Sequence, residues 1–167
     1  ITINSQVLNQ TSIPFTIIIK DNTANQWLSG LNLVVAAPQL NVVDKTLAEI
    51  GGNGNLVPDA GETVEVSFKL KNVGANQIQN INCTASSASS FINFSSSSMM
   101  VTQLLEDSFI QCTYMATISQ SVPDGERIFI DFNAINGIYQ TSEQVSFRVG
   151  LVDEDFETGD FSKYYWV

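Results

Sequence analysis

Four oxygen-bearing side chains, Asn53, Asn55, Asp59 and Glu62, fall in one short stretch broken by Gly51, Gly52, Gly54 and Gly61. Glycine lets the backbone turn sharply, so these oxygens could be gathered round a common centre. Calcium takes about six to eight oxygens from carboxylates, side-chain amides and backbone carbonyls. With only Asp59 and Glu62 charged, a site here would hold Ca2+ at about 10⁻⁴–10⁻³ M, the range of extracellular modules. The same residues suit a metal-free loop, in which Asn and Asp side chains satisfy nearby backbone N–H groups. Both readings stand at this level.

Other chemistry is sparse. The chain has no histidine, which removes Ser-His and Cys-His nucleophile pairs and histidine-ligated zinc together. A two-carboxylate hydrolase would set its acids in an aromatic-lined cleft. Here they sit in loops and in a C-terminal run, Asp153, Glu154, Asp155, Glu157 and Asp160. The expectation is a non-catalytic chain. Trp27 and Tyr139 could form a sugar-stacking platform or could simply pack. Cys83 and Cys112 lie in strand-like runs, where an inter-strand disulfide and buried free thiols are the two alternatives. A net charge of −10 opposes nucleic-acid binding, which needs clustered Lys and Arg. It also opposes adsorption to an anionic membrane surface. No apolar run approaches the roughly 18 residues of a spanning helix, so no membrane insertion is expected.

The elements that must position these residues are strands. After the Gly-rich loop, Val64, Val66, Phe68 and Leu70 alternate with Glu65, Ser67, Lys69 and Lys71, a two-residue period that predicts a half-buried strand over 63–71. Arg127 to Ile135 alternates likewise, with Ile128, Ile130, Phe132 and Ala134 inward, and Val145, Phe147 and Val149 continue the pattern. Shorter strands are expected at 39–44, 77–84, 99–105 and 107–116, with an edge strand around Phe91, Ile92 and Phe94. Val122-Pro123-Asp124-Gly125 predicts a type I turn with Pro second and Gly closing it. Strands at this spacing, with turn signals and no helical period, predict an all-β, immunoglobulin-like antiparallel β-sandwich.

Ahead of it, Ile13 to Lys20, an Asn/Asp turn at 21–25, and Trp27 to Val35 form a hairpin signal. Its plan echoes the hairpin of Arg127 to Val149, down to an aromatic residue after the turn (Trp27, Tyr139). The domain expectation is therefore residues 1–37 as the terminal hairpin of a preceding β module, 38–152 as the sandwich, and 153–167 as the start of a downstream domain. A two-stranded hairpin is marginal alone. The sequence predicts that it packs on the sandwich; its unpaired edge could also support a homodimer.

The stretch from Asn53 to Val64, with Pro58, Gly61, Glu62 and Thr63, continuing to Leu70-Lys71-Asn72-Val73-Gly74, resembles the pattern "GDGxxxPGETV…LxNxG". That pattern occurs in immunoglobulin-like modules of bacterial secreted gingipain-like peptidases and adhesins. Val122-Pro123-Asp124-Gly125 is similar to the family's late turn. Asp155-Phe156-Glu157-Thr158-Gly159-Asp160-Phe161, ending in Trp166, looks like the opening of a cleaved-adhesin jelly-roll domain. The sequence has Asn55 where the pattern favours Asp, and Ala60 is inserted between Asp59 and Gly61. The likeness implies a secreted or outer-surface bacterial multidomain protein, in which this piece is a non-catalytic spacer between a peptidase or adhesin core and the next domain. Its implied partners are neighbouring domains of the same chain and a host protein or glycan; the alternative is a carbohydrate-binding module. Glu157 and Asp160 would ligate an ion only in a complete downstream domain.

Overall fold

The computed structural model describes residues 7–150, so the expectations placed on residues 153–167, including Glu157 and Asp160, lie outside the described residues. Ten strands are arranged in chain order: β1 Ser12–Lys20, β2 Gln26–Val34, β3 Leu40–Gly51, β4 Thr63–Asn72, β5 Ile78–Ser86, β6 Ile92–Phe94, β7 Ser98–Leu104, β8 Phe109–Ile118, β9 Arg127–Asn136 and β10 Tyr139–Arg148. β3-β4-β8-β6 form one four-stranded sheet and β10-β9-β5-β7 another, while among the described residues β1 and β2 pair only with each other. Every pairing is antiparallel. The two larger sheets pack face to face as an immunoglobulin-like sandwich, the fold class that the alternation predicts.

The alternation also says which faces meet. Val64, Val66, Phe68 and Leu70 from β4 and Ile128, Ile130, Phe132 and Ala134 from β9 are all fully buried. Phe68 and Phe132 stack across the core with ring centroids 4.5 Å apart and planes 15° from parallel. Because β4 is flanked by β3 and β8, part of its outer face is shielded too. Ser67 is buried there and shares a 2.9 Å hydrogen bond with Thr113.

Three local expectations change. β3 runs to Gly51, well beyond Asp44, because register shifts after Val42 and after Glu49 carry it past the break in its alternation. A β-bulge of this kind inserts an unpaired residue and hides the two-residue period. The late turn begins one residue later than predicted: Glu126 N–H donates to Pro123 O at 3.1 Å, and Gly125 takes the third position at φ +78°. Positive φ at that position belongs to type II rather than type I.

The third correction concerns the hairpin. Contact with the sandwich is predicted, yet β2 is exposed along its whole length and β1 is exposed except at Ile13 and Phe15, which are half-buried. Only the base of the hairpin is fastened. Ala37 and Pro38 are buried, Asn9 Oδ1 accepts from Ala37 N–H at 3.1 Å, and Tyr139 donates to Val7 O at 3.4 Å. β10, the edge strand beside that base, carries exposed Gln140, Ser142, Glu143 and Gln144.

Candidate functional site

The Gly-rich loop links β3 to β4 and is held by carboxylates from both strand ends. Glu62, at the entrance to β4, is buried. Its Oε1 accepts from Asn53 N–H and its Oε2 from Asp59 N–H, each at 2.9 Å. Glu49, near the end of β3, accepts from Gly54 N–H and Leu56 N–H at 3.0 Å. Gly52 runs so close beneath both carboxylates that a Cβ there would collide with Glu62 Oε1. Glycine at this position is thus a matter of close approach.

The structure brings Asn53, Asn55, Asp59 and Glu62 together, as the sequence predicts. The oxygens, however, do not converge. Asn53 Oδ1 accepts from Asn55 N–H at 2.9 Å, and Asn55 Oδ1 accepts from Val57 N–H at 2.8 Å. These bonds fix both amide orientations, so each Nδ2 group turns to Asp59 Oδ2, at 2.7 and 3.0 Å. Amide nitrogens with their hydrogens face the carboxylate where a cation would need oxygens. Among the described residues no group of three or more His, Cys, Asp or Glu side chains is arranged to hold a metal ion. The donor set fits a self-closing loop better than a calcium cage.

The loop is also sewn to its surroundings. Gly61 N–H donates to Ile118 O at 3.1 Å, Ile118 N–H to Glu62 O at 2.8 Å, and Gly150 N–H to Pro58 O at 3.0 Å. It therefore joins the start of β4, the end of β8 and the chain just after β10. What the arrangement supplies is a fixed shape at one end of the sandwich. Glu49 is the participant that sequence reasoning misses, because the strand that carries it is read as ending at Asp44. The usable signal is an acidic residue just ahead of a Gly-Gly pair.

The other end has its own anchor. Asn72 is fully buried and lies in the Leu70-Lys71-Asn72-Val73-Gly74 motif. Its Oδ1 accepts from Gln39 N–H at 3.1 Å and from Gly74 N–H at 3.0 Å, while Nδ2 donates to Asn76 O at 2.8 Å. Gly74 sits directly against the backbone of Ala37, Pro38 and Gln39, leaving no room for a Cβ. The motif thus pins the segment from which the hairpin departs.

Trp27 and Tyr139 do not share a setting. Trp27 is 55% exposed beside the hairpin turn, opposite Ile19, whereas Tyr139 packs against the core. Cys83 and Cys112 are fully buried free thiols on opposing sheets.

No protein-family model matches this chain, and no curated protein matches it either. Among solved structures, the ASH/PapD-like domain 7 of human CEP192 aligns with 67% of this chain and 89% of that domain, at 13% identity and a TM-score of 0.36. A likeness of that size carries no argument about what this chain does.

Proposed function

We propose that this chain is a non-catalytic β-sandwich spacer and interaction module of a secreted or cell-surface multidomain protein, of the kind its motifs resemble in bacterial gingipain-like peptidases and adhesins. One observation carries the reading. The β1-β2 hairpin projects from the sandwich with an uncovered apolar face. The register sets Ile13, Phe15, Ile17 and Ile19 opposite Leu33, Leu31, Ser29 and Trp27. Residues directly opposite in an antiparallel pair share a face, so seven of these eight side chains make one apolar surface. Ile17, Ile19, Trp27, Leu31 and Leu33 are each exposed by 39–58%. The equivalent face of β9, with Ile128, Ile130, Phe132 and Ala134, is buried in the core.

Size argues for the occupant. A nine-residue strand pair is about 30 Å long and about 10 Å wide, on the order of 300 Å² of face. A standard interface needs about 800 Å² per partner. A face this small holds a free partner weakly but suffices for a module tethered in the same polypeptide, where the effective concentration is roughly millimolar. Charge agrees: residues 1–37 contain only Lys20 and Asp21 as charged side chains, so the net −10 of the chain lies elsewhere. The occupant we infer is a neighbouring β module of the same chain.

Sedimentation of the chain from low to several hundred micromolar tests this. Two copies would cover each other's exposed hairpin face, giving weak association in the upper range that Leu31→Asp abolishes. A dimer already complete at nanomolar concentration would make the chain an obligate dimer and sink the spacer reading. Absence of association throughout would leave the face without a docking role. The exposure of Trp27 favours one second reading, a carbohydrate-binding module; retention on an immobilised glycan that Trp27→Ala removes would establish it.

A further inference from the structure

We propose that Cys83 and Cys112 form a disulfide site that closes across the two sheets as the chain folds. The geometry rests on three registers. Phe68 of β4 stacks on Phe132 of β9, which aligns those two strands across the core. Cys112 pairs directly beside Phe68 on the neighbouring strand β8. On the opposite sheet, Ala85 pairs beside Phe132, and Cys83 lies two residues along the same face of β5. Stepping one strand in the same direction from the stacked rings sets β8 over β5 with Cys112 near Ala85, and the hydrogen bond shared by the Cys83 and Cys112 side chains brings the two sulfurs together. Both sulfurs are fully buried in one cluster, with Ala134 paired directly beside Cys83 and Ala85 two residues along the same face. Small neighbours let facing strands approach, as a bridge with its short Cα separation requires.

A second observation marks the same spot. The Tyr114 hydroxyl is buried and has no hydrogen-bond partner among the described residues, and its ring leans on Phe132 with centroids 6.4 Å apart. Burial and the adjacent Cys112 and Cys83 sulfurs push its ionisation well above the ordinary range. An orphaned hydroxyl costs free energy that few native cores carry without reason. Here it lies among the two sulfurs rather than in a purely hydrocarbon environment.

The bond closes during folding, before the core excludes solvent. Both cysteines are fully buried once the chain has folded, out of reach of a dissolved disulfide, and exchange needs an accessible thiolate. In the unfolded chain one thiolate attacks oxidised glutathione and releases one glutathione. The second cysteine then attacks the mixed disulfide and releases the other. The sulfur–sulfur bond of oxidised glutathione breaks and one forms between the cysteines; the two electrons and, through solvent, the two thiol protons end on the two released glutathione thiols.

The test refolds the reduced, denatured chain in a glutathione redox buffer, then denatures and alkylates it. The expected chain is monomeric, two hydrogens lighter and unalkylated. Trypsin leaves both cysteines in one fragment, because no Lys or Arg lies between Asn72 and Glu126. Cleavage at Glu106 or Asp107 should instead give two pieces that separate only on reduction. The oxidised chain should melt higher than the reduced one by roughly 5–10 °C. Two alkylatable thiols, a glutathione adduct on either cysteine, or a cross-linked dimer would each overturn the assignment. Because the oxidant is supplied in the tube, failure here would leave the spacer reading untouched.

Discussion

Glu49 and Glu62 hold one loop from opposite strand ends, each with both carboxylate oxygens on backbone N–H groups. Glu62 is the more deeply buried of the two, at 7% exposure. Removing a buried acceptor leaves Asn53 N–H and Asp59 N–H without partners, at about 1–2 kcal/mol for each such group. Glu62→Ala should therefore lower unfolding stability by about 2–4 kcal/mol in a denaturant titration. Glu49→Ala, half-exposed, should cost about half as much. Equal and negligible losses would show that the loop does not depend on these carboxylates.

The same bonds set the expectation for calcium. With both Asn oxygens committed to backbone N–H groups and both Nδ2 groups turned to Asp59, an ion would have to rearrange the loop before binding. Thermal melts in excess calcium and in chelator should coincide. A site filled to 100 times its dissociation constant would instead add about 2.7 kcal/mol, a shift of roughly 5–10 °C. If such a shift appeared and Asp59→Ala abolished it, the cation reading would be restored.

Much of this fold is legible in the chain. β4 and β9 can be read residue by residue, since each buries one face and the two-residue period is the direct imprint of that burial. The far half of β3 is not legible, because its bulges break the period. The four loop residues can be picked out by type and spacing. Which atoms point inward cannot, because an asparagine presents an oxygen or an N–H according to its neighbours. The position of the hairpin is equally hidden: Ile17 and Leu31 read as core residues whether or not anything covers them.

Asn72 should prove as sensitive as Glu62. Asn72→Ala strands the N–H groups of Gln39 and Gly74 in a buried position, so we expect a loss of about 2–4 kcal/mol. Gly74→Ala should cost at least as much, because the new methyl meets main chain at Ala37, Pro38 and Gln39, which cannot move aside as a side chain would. Chemical denaturation of both variants checks the pair. A mild Gly74→Ala would mean that residues 37–39 are held only loosely.

Lys45 joins β3 to β10 through a 2.9 Å ion pair with Glu143 and a 2.8 Å bond to Gln144 O. The hydrogen bond and then the charge of Lys45 hold Glu143 below the usual carboxylate range. A carboxyl lowered by folding contributes stability above its unfolded value and loses it as pH falls through the folded one. Both side chains are about two-fifths exposed, so screening limits the contribution to less than about 1 kcal/mol. Lys45→Met should raise the Glu143 pKa in a titration followed by NMR. The stability gap between the two chains should close at acidic pH and in high salt; a gap that persists under both would point to lost packing of the lysine stem.

The hairpin offers the sharpest contrast between apolar content and stability. Its strands are as hydrophobic as β9, yet the side chains of β2 touch solvent throughout, so burial contributes almost nothing to the fold of the isolated chain. A chain shortened to begin at Ala36 keeps the buried Ala37 and Pro38 and should melt within about 2 °C of the full one. Amide exchange should agree, with β1 and β2 opening far more readily than β4, which is flanked by pairing strands on both edges. Protection in β1 and β2 that matched β4, or a large drop in melting temperature on truncation, would mean that the hairpin folds down onto the sandwich in solution. The docking face would then be occupied by this chain's own sheet.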